Sequence, residues 1–173
     1  MNHRHFAAWL LAAAASLAIQ SPAAAARSAA DPGPPDFSAE FPAGIACSNF
    51  GLRLEVWEGQ GRTKELKDRN GKLRSLHIGH GGSFRYTNML TDKQASSQSH
   101  GTLQLTTTYE VDGSQKISFL GSVLLIWFPT DIPAGPSTTF FDRGLLVYTL
   151  SPDGVGTMVR SKGESTDICA ALS

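Results

Sequence analysis

From Phe50 onward the apolar residues of this chain recur at every second position, the spacing of strands that keep one face in a core and the other in water. Leu52, Leu54 and Val56 alternate with Arg53, Glu55 and Trp57, and Phe84, Tyr86 and Asn88 alternate with Arg85, Thr87 and Met89. Leu103, Leu105, Thr107 and Tyr109 alternate in the same way with Gln104, Thr106, Thr108 and Glu110. Between such runs stand short turn signals, Arg69-Asn70-Gly71-Lys72, Asp112-Gly113-Ser114 and Pro152-Asp153-Gly154, each supplying a glycine where a tight reversal needs positive φ. Consecutive antiparallel hairpins are predicted. The run Val123-Leu124-Leu125-Ile126-Trp127-Phe128 is apolar throughout and stops at Pro129, which predicts a strand covered on both faces at the centre of the core. No stretch beyond residue 50 carries a sustained helical stripe. The pattern predicts an all-β domain over residues 45–173, a single antiparallel β-sandwich or β-barrel of about eight or nine strands. Periodicity does not choose between sandwich and barrel.

The first part of the chain follows neither period. Met1-Asn2-His3-Arg4-His5 is weakly basic, Phe6 to Ile19 is an apolar run rich in alanine and leucine, and Pro22 precedes Ala23-Ala24-Ala25-Ala26. This is the layout of a secretory signal peptide over residues 1–26, cleaved before Arg27. The apolar run is shorter than the roughly 20 residues that span a bilayer, so the mature chain is expected to carry no membrane span and to be secreted and extracellular. Residues 27–44 contain Pro32, Pro34, Pro35 and Pro42 among small and acidic residues, and read as a flexible Pro-rich leader. What remains after cleavage, about 147 residues, suits one domain with one core. The chain's 15 basic and 15 acidic residues form no block of like charge, so no phosphate-binding surface is indicated and nucleic acid is not an expected partner.

The chain has two cysteines, Cys47 just behind the leader and Cys169 near the carboxyl end. In an exported chain this placement predicts a disulfide joining the first and last ordered segments. Such a bridge closes a loop of about 122 residues, for which chain entropy gives at most about 5 kcal/mol. A nucleophilic role would need an unpaired thiolate beside an activating base, and the bridge is the simpler reading.

Several chemistries can be weighed on the remaining residues. His77 and His80, in Leu76-His77-Ile78-Gly79-His80-Gly81-Gly82-Ser83, suggest a metal site or an anion cradle. Residues three apart on a regular strand point to opposite faces, so these two rings converge only if Gly79 forms a bulge. Zinc sites also need three or four ligands. His80-Gly81-Gly82 is like the oxyanion loop of some esterases, but no Gly-x-Ser-x-Gly elbow accompanies it. Glu55 and Glu110 can be nominated as a glycosidase pair, yet both fall on the polar side of their strands and read as solvated. Trp57, Trp127, Phe140 and Phe141 suit either core packing or the lining of an apolar pocket. The proline-stiffened loop from Pro129 to Pro136, with Asp131 in it, is placed where binding loops often sit or where the chain crosses between sheets. His77, His80, Trp127 and Asp131 are expected to form a ligand or surface site, with no catalytic set, metal or cofactor expected.

The segments Phe41-Pro42-Ala43-Gly44-Ile45-Ala46-Cys47, Trp127-Phe128-Pro129-Thr130-Asp131 and Asp167-Ile168-Cys169-Ala170-Ala171-Leu172 give the chain a further likeness. From about Phe41 to Leu172 it resembles a group of small, uncharacterised secreted β-rich proteins of high-GC Gram-positive bacteria. The resemblance implies an exported β-rich fold with an amino-to-carboxyl disulfide, and no activity. The function expected is that of a secreted, non-enzymatic β domain that binds a small apolar ligand or a surface partner, with an envelope or extracellular protein as that partner. The alternatives are a small secreted hydrolase or isomerase with its site near His77 and His80, and a structural or interaction protein of the cell envelope.

Overall fold

A computed structural model describes residues 33–99 and 101–173. The predicted signal peptide (1–26), the first part of the leader (27–32) and His100 lie outside the described residues. The fold is all-β, with two antiparallel sheets and one short helix. Strands β1 (Phe37–Phe41), β2 (Leu52–Trp57), β5 (Ser83–Asn88) and β6 (Gln94–Gln98) form a four-stranded sheet in the order β1-β2-β5-β6. Strands β3 (Gln60–Lys67), β4 (Leu73–His80), β7 (Thr102–Tyr109), β8 (Gln115–Trp127), β9 (Ser137–Leu150) and β10 (Gly156–Asp167) form a six-stranded sheet in the order β10-β9-β8-β7-β4-β3.

Each sheet ends on two edge strands, so the sheets do not close into the barrel held open as an alternative. The three predicted turns join β3 to β4, β7 to β8 and β9 to β10. The described residues hold ten strands rather than eight or nine. Those the alternation passes over are polar or exposed: every residue of β3 is exposed, and β6 reads Gln-Ala-Ser-Ser-Gln. The leader expectation is corrected over Phe37–Phe41. This segment pairs with β2 from Phe37↔Val56 to Phe41↔Leu52, and Phe41 packs on the core. Pro34, Pro35 and Pro42 flank the strand without entering it, which leaves its N–H groups available to the ladder.

One hairpin serves both sheets. β2 pairs with β5 and β3 with β4 on a single unbroken count, from Leu52↔Asn88 through Trp57↔Ser83 and Gln60↔His80 to Lys67↔Leu73. This ribbon leaves one sheet and enters the other at Glu58-Gly59 on one arm and Gly81-Gly82 on the other. The two arms approach so closely there that a Cβ on Gly59 would lie 1.9 Å from the His80 carbonyl oxygen. Only glycine fits that crossing.

The core has two parts because β8 is covered on both faces, as its apolar run predicts. Leu124 and Ile126 pack with Leu52, Leu54, Tyr86 and Phe140 in the space shared by the sheets. Val123 and Leu125 on the opposite face pack with Phe141, Leu146 and Tyr148. The second cluster exists because the long strands curl. Trp127 pairs with Ser137 and Ile117 with Tyr148, positions about 33 Å apart along a straight strand. Yet the Trp127 and Tyr148 rings meet edge to face at 6.1 Å. The bend falls where Gly121, Gly144 and Gly163 stand side by side across three strands, next to a register shift in both pairings of β9. Gly121 and Gly163 have φ of 117° and 132°, and Cβ atoms there would lie 2.4 Å from Thr102 O and 2.1 Å from Arg143 O. A glycine seam beside a bulge is the physical means of turning a sheet corner.

Helix α1 (Ile168–Leu172) closes the first core, capped by the Asp167 carboxylate, which accepts from Ala170 N at 3.0 Å. Ile168 and Leu172 are buried. The predicted bridge is present: Cys169 is bonded to Cys47. Beside it the Thr138 hydroxyl donates to Ala46 O at 2.9 Å. Buried Asn88 donates from Nδ2 to Leu172 O at 3.1 Å, while its Oδ1 accepts from Leu90 N at 2.9 Å, tying the β5–β6 turn to the helix.

Two predictions follow from this packing. Reducing the bridge, or replacing Cys169→Ser, is expected to remove up to about 5 kcal/mol, read as a fall in Tm of many degrees by calorimetry. An unchanged Tm would show that the bridge adds nothing. The second concerns Tyr86. Burial pushes its phenol far above its ordinary value, with a hydroxyl bond from Ser97 at 3.1 Å acting in the opposite sense. The folded state therefore keeps this proton after the unfolded chain has lost it. The resulting stability is complete below about pH 10 and falls as pH rises beyond it. Tyr86→Phe is expected to flatten the loss of Tm between pH 9 and pH 11, and an unchanged slope counts against the assignment.

Candidate functional site

The crossing of the ribbon leaves a cavity of about 390 Å³ beside it. Val56 and Phe84 contribute to its wall from the four-stranded sheet, and Leu103, Val123 and Leu124 from the six-stranded sheet. Glu58 and Gly59 border it where β2 passes into β3. His77, Gly79, His80 and Gly82 border it where β4 passes into β5. Both sheets thus supply apolar side chains to the wall, beside the polar Gln60, Ser99 and Ser122.

His77 and His80 both border the cavity without converging. The pairing of β4 with β3 and with β7 runs unbroken through Gly79, so no bulge brings the rings to one face. His77 is half-buried and His80 exposed. The His77 ring is fixed on one side, its Nδ1 sharing a hydrogen bond of 2.9 Å with the Thr63 hydroxyl directly across the β3–β4 pair. Among the described residues no group of three or more His, Cys, Asp or Glu side chains is placed to hold a metal ion.

Trp127 and Asp131 belong to a different part of the molecule and take no part in lining this cavity. Both are buried. The Asp131 carboxylate accepts from Phe128 N at 2.7 Å and from Gly156 N at 2.8 Å. Trp127 donates from its indole nitrogen to Pro133 O. Ile132 exchanges backbone bonds of 2.8 Å with Gly156 and Met158. Asp131 thus clips the proline-rich loop onto the start of β10, the end of the sheet that the curl brings round to it. Burial, and then the nearby Asp131 carboxylate, hold the Tyr148 phenol above its ordinary range. Of the four residues singled out from the sequence, the structure joins His77 with His80 and Trp127 with Asp131, and keeps the pairs apart.

The glycosidase pair is not assembled. Glu55 lies 3.7 Å from Arg85, which is stacked over Trp57 at 4.8 Å on the four-stranded sheet. Glu110 is paired with Lys72 at the far turns of the six-stranded sheet. Phe140 and Phe141 divide between the two cores rather than meeting in one pocket.

Sequence reasoning missed Thr63, Leu103 and the paired glycines of β3 and β4. The signal present in the chain was the spacing of Gly59, Gly61, Gly79 and Gly82. That spacing gains meaning only once Gly61 is known to sit opposite Gly79. No protein-family model, curated protein or solved structure matches this chain.

Asp131→Ala is expected to cost about 3 kcal/mol, because two backbone N–H groups lose a charged acceptor in a buried site. Urea unfolding checks this. A loss under about 0.5 kcal/mol, the level of an ordinary surface substitution, would mean the clip is not structural.

Proposed function

We propose that this chain is an extracellular, non-enzymatic binding domain that takes a small apolar molecule between two sheets packed as a sandwich. The observation that carries the reading is the cavity at the ribbon crossing, about 390 Å³, with an apolar lining from Val56, Trp57, Phe84, Leu103, Val123 and Leu124. Its volume is within the range of small-molecule sites, which are concave, mostly apolar and supplied with a few polar groups. A disulfide tying the two ends of the fold suits an oxidising compartment, which supports export by the predicted signal peptide. No helix among the described residues is long and apolar enough to cross a membrane.

Titration with the neutral fluorophore N-phenyl-1-naphthylamine tests the reading. Saturable one-site binding is expected in the disulfide-bonded protein. Leu103→Trp, which fills the cavity, is expected to weaken it by about ten-fold or more, equivalent to 1.4 kcal/mol, with far-UV circular dichroism unchanged. Absence of saturable binding, or equal affinity in the variant, overturns the proposal.

A further inference from the structure

The cavity carries one polar group with a purpose-built seat. His77 and Thr63 face each other across β3 and β4, and two pairs nearer the crossing, on the same face, Gly61 stands opposite Gly79. The imidazole lies over these two glycines. A Cβ on Gly61 would fall 2.8 Å from both Cε1 and Nε2 of His77, and a Cβ on Gly79 would fall 2.9 Å from Nε2. Any larger residue at either position would push the ring away. Nδ1 is taken by the Thr63 hydroxyl. Nε2 lies over Gly79, itself part of the cavity border, and makes no hydrogen bond to a described residue.

We propose that His77 Nε2 is the polar anchor of the apolar cavity, and that the ligand it selects is a neutral apolar molecule bearing a hydroxyl group, an alcohol or a phenol. This inference rests on the binding reading above and deepens it. Two observations choose a hydroxyl over a charged head group. Among the described residues bordering the cavity there is no lysine or arginine, while Glu58 is there, its backbone N–H held by the Asp36 carboxylate at 2.8 Å. A carboxylate ligand would enter beside Glu58 and Asp36, and Arg85, the cation stacked on bordering Trp57, is already paired with Glu55 at 3.7 Å. A cationic head drawn to those carboxylates would have to leave water for an apolar wall, which costs more than one hydrogen bond returns. The Thr63 hydroxyl can either donate to Nδ1 or accept from it. Nε2 is therefore free to serve as donor or acceptor, and a hydroxyl ligand can take either role.

The test compares three rigid probes of one shape, naphthalene, 2-naphthol and 2-naphthoate, by NMR titration of the disulfide-bonded protein. 2-Naphthol is expected to bind about five-fold tighter than naphthalene, the worth of one net hydrogen bond. It alone is expected to shift the ¹⁵N resonance of His77 Nε2. His77→Leu should abolish that preference while leaving naphthalene affinity within about two-fold. Gly61→Ala, which keeps the imidazole but displaces it, should abolish the preference as well. Equal binding of naphthalene and 2-naphthol by the unaltered protein overturns the anchor and leaves the cavity reading standing. So does a preference that survives in His77→Leu, or a His77 resonance that 2-naphthol does not move, and the latter stands even if the variants fail to fold. Tighter binding of 2-naphthoate overturns the choice of ligand class. Failure of both naphthalene and 2-naphthol to bind overturns the cavity reading and this inference with it.

Discussion

A two-stranded ribbon that holds one register while passing from one sheet into another dictates most of what surrounds it. Side chains alternate along it with period two, and the count from Leu52↔Asn88 to Lys67↔Leu73 never slips. Each face of the second half is therefore inherited from the first. Leu52, Leu54 and Val56 form the core wall in the four-stranded sheet. Residues of the same parity beyond the crossing, such as Ile78, are exposed, while the opposite parity brings His77 and Gly79 inward. The cavity lies where this exchange takes place, with Val56 and Phe84 supplied by one parity and His77 and Gly79 by the other. An apolar space with a histidine on its wall follows from turning such a ribbon.

The curled half of the six-stranded sheet obeys a different constraint. Glycine at Gly121, Gly144 and Gly163 permits the bend but does not hold it, since these residues contribute no side-chain contact. Holding falls to Val123, Phe141 and Leu146 inside the curl, and to the Asp131 carboxylate, which bonds both its own loop and the first residue of β10. A charge buried on two backbone donors is strongly directional, so it fixes where the returning strand docks more sharply than apolar contact would.

How much of this was legible in the sequence depended on whether a strand's own side chains record its burial. β2, β7 and the second half of β8 do so, with Leu52, Leu54, Leu103, Leu105 and the run from Val123 to Trp127 marking covered faces. β3 does not, because Arg62, Lys64, Glu65 and Lys67 stand on an edge strand held by its ladder to β4. β1 was hidden by the prolines around it. The bridge was legible from the compartment and from the positions of Cys47 and Cys169. His77 was legible as a candidate, and the opposite aims of His77 and His80 followed from strand geometry. Its seat was not legible, because pairing Gly61 with Gly79 is a matter of register across a sequence separation of 18 rather than of local pattern. Trp127 and Asp131 look like surface chemistry in the sequence because a carboxylate between prolines gives no sign that backbone amides will surround it.

The closure at Ile168–Leu172 also sets an order of events in time. Phe50, Leu52 and Tyr86 are completed by side chains more than 80 positions further along. Asn88 waits for Leu172 to accept its hydrogen bond, and Ala46 O waits for Thr138. Contacts so distant in sequence form slowly, since each closes a large loop before any gain is returned. While the chain is being made, its early hairpins have no finished interior to settle into. The first core therefore cannot be completed before Ile168 and Leu172 are present, and the bond from Cys169 to Cys47 belongs to the same late closure.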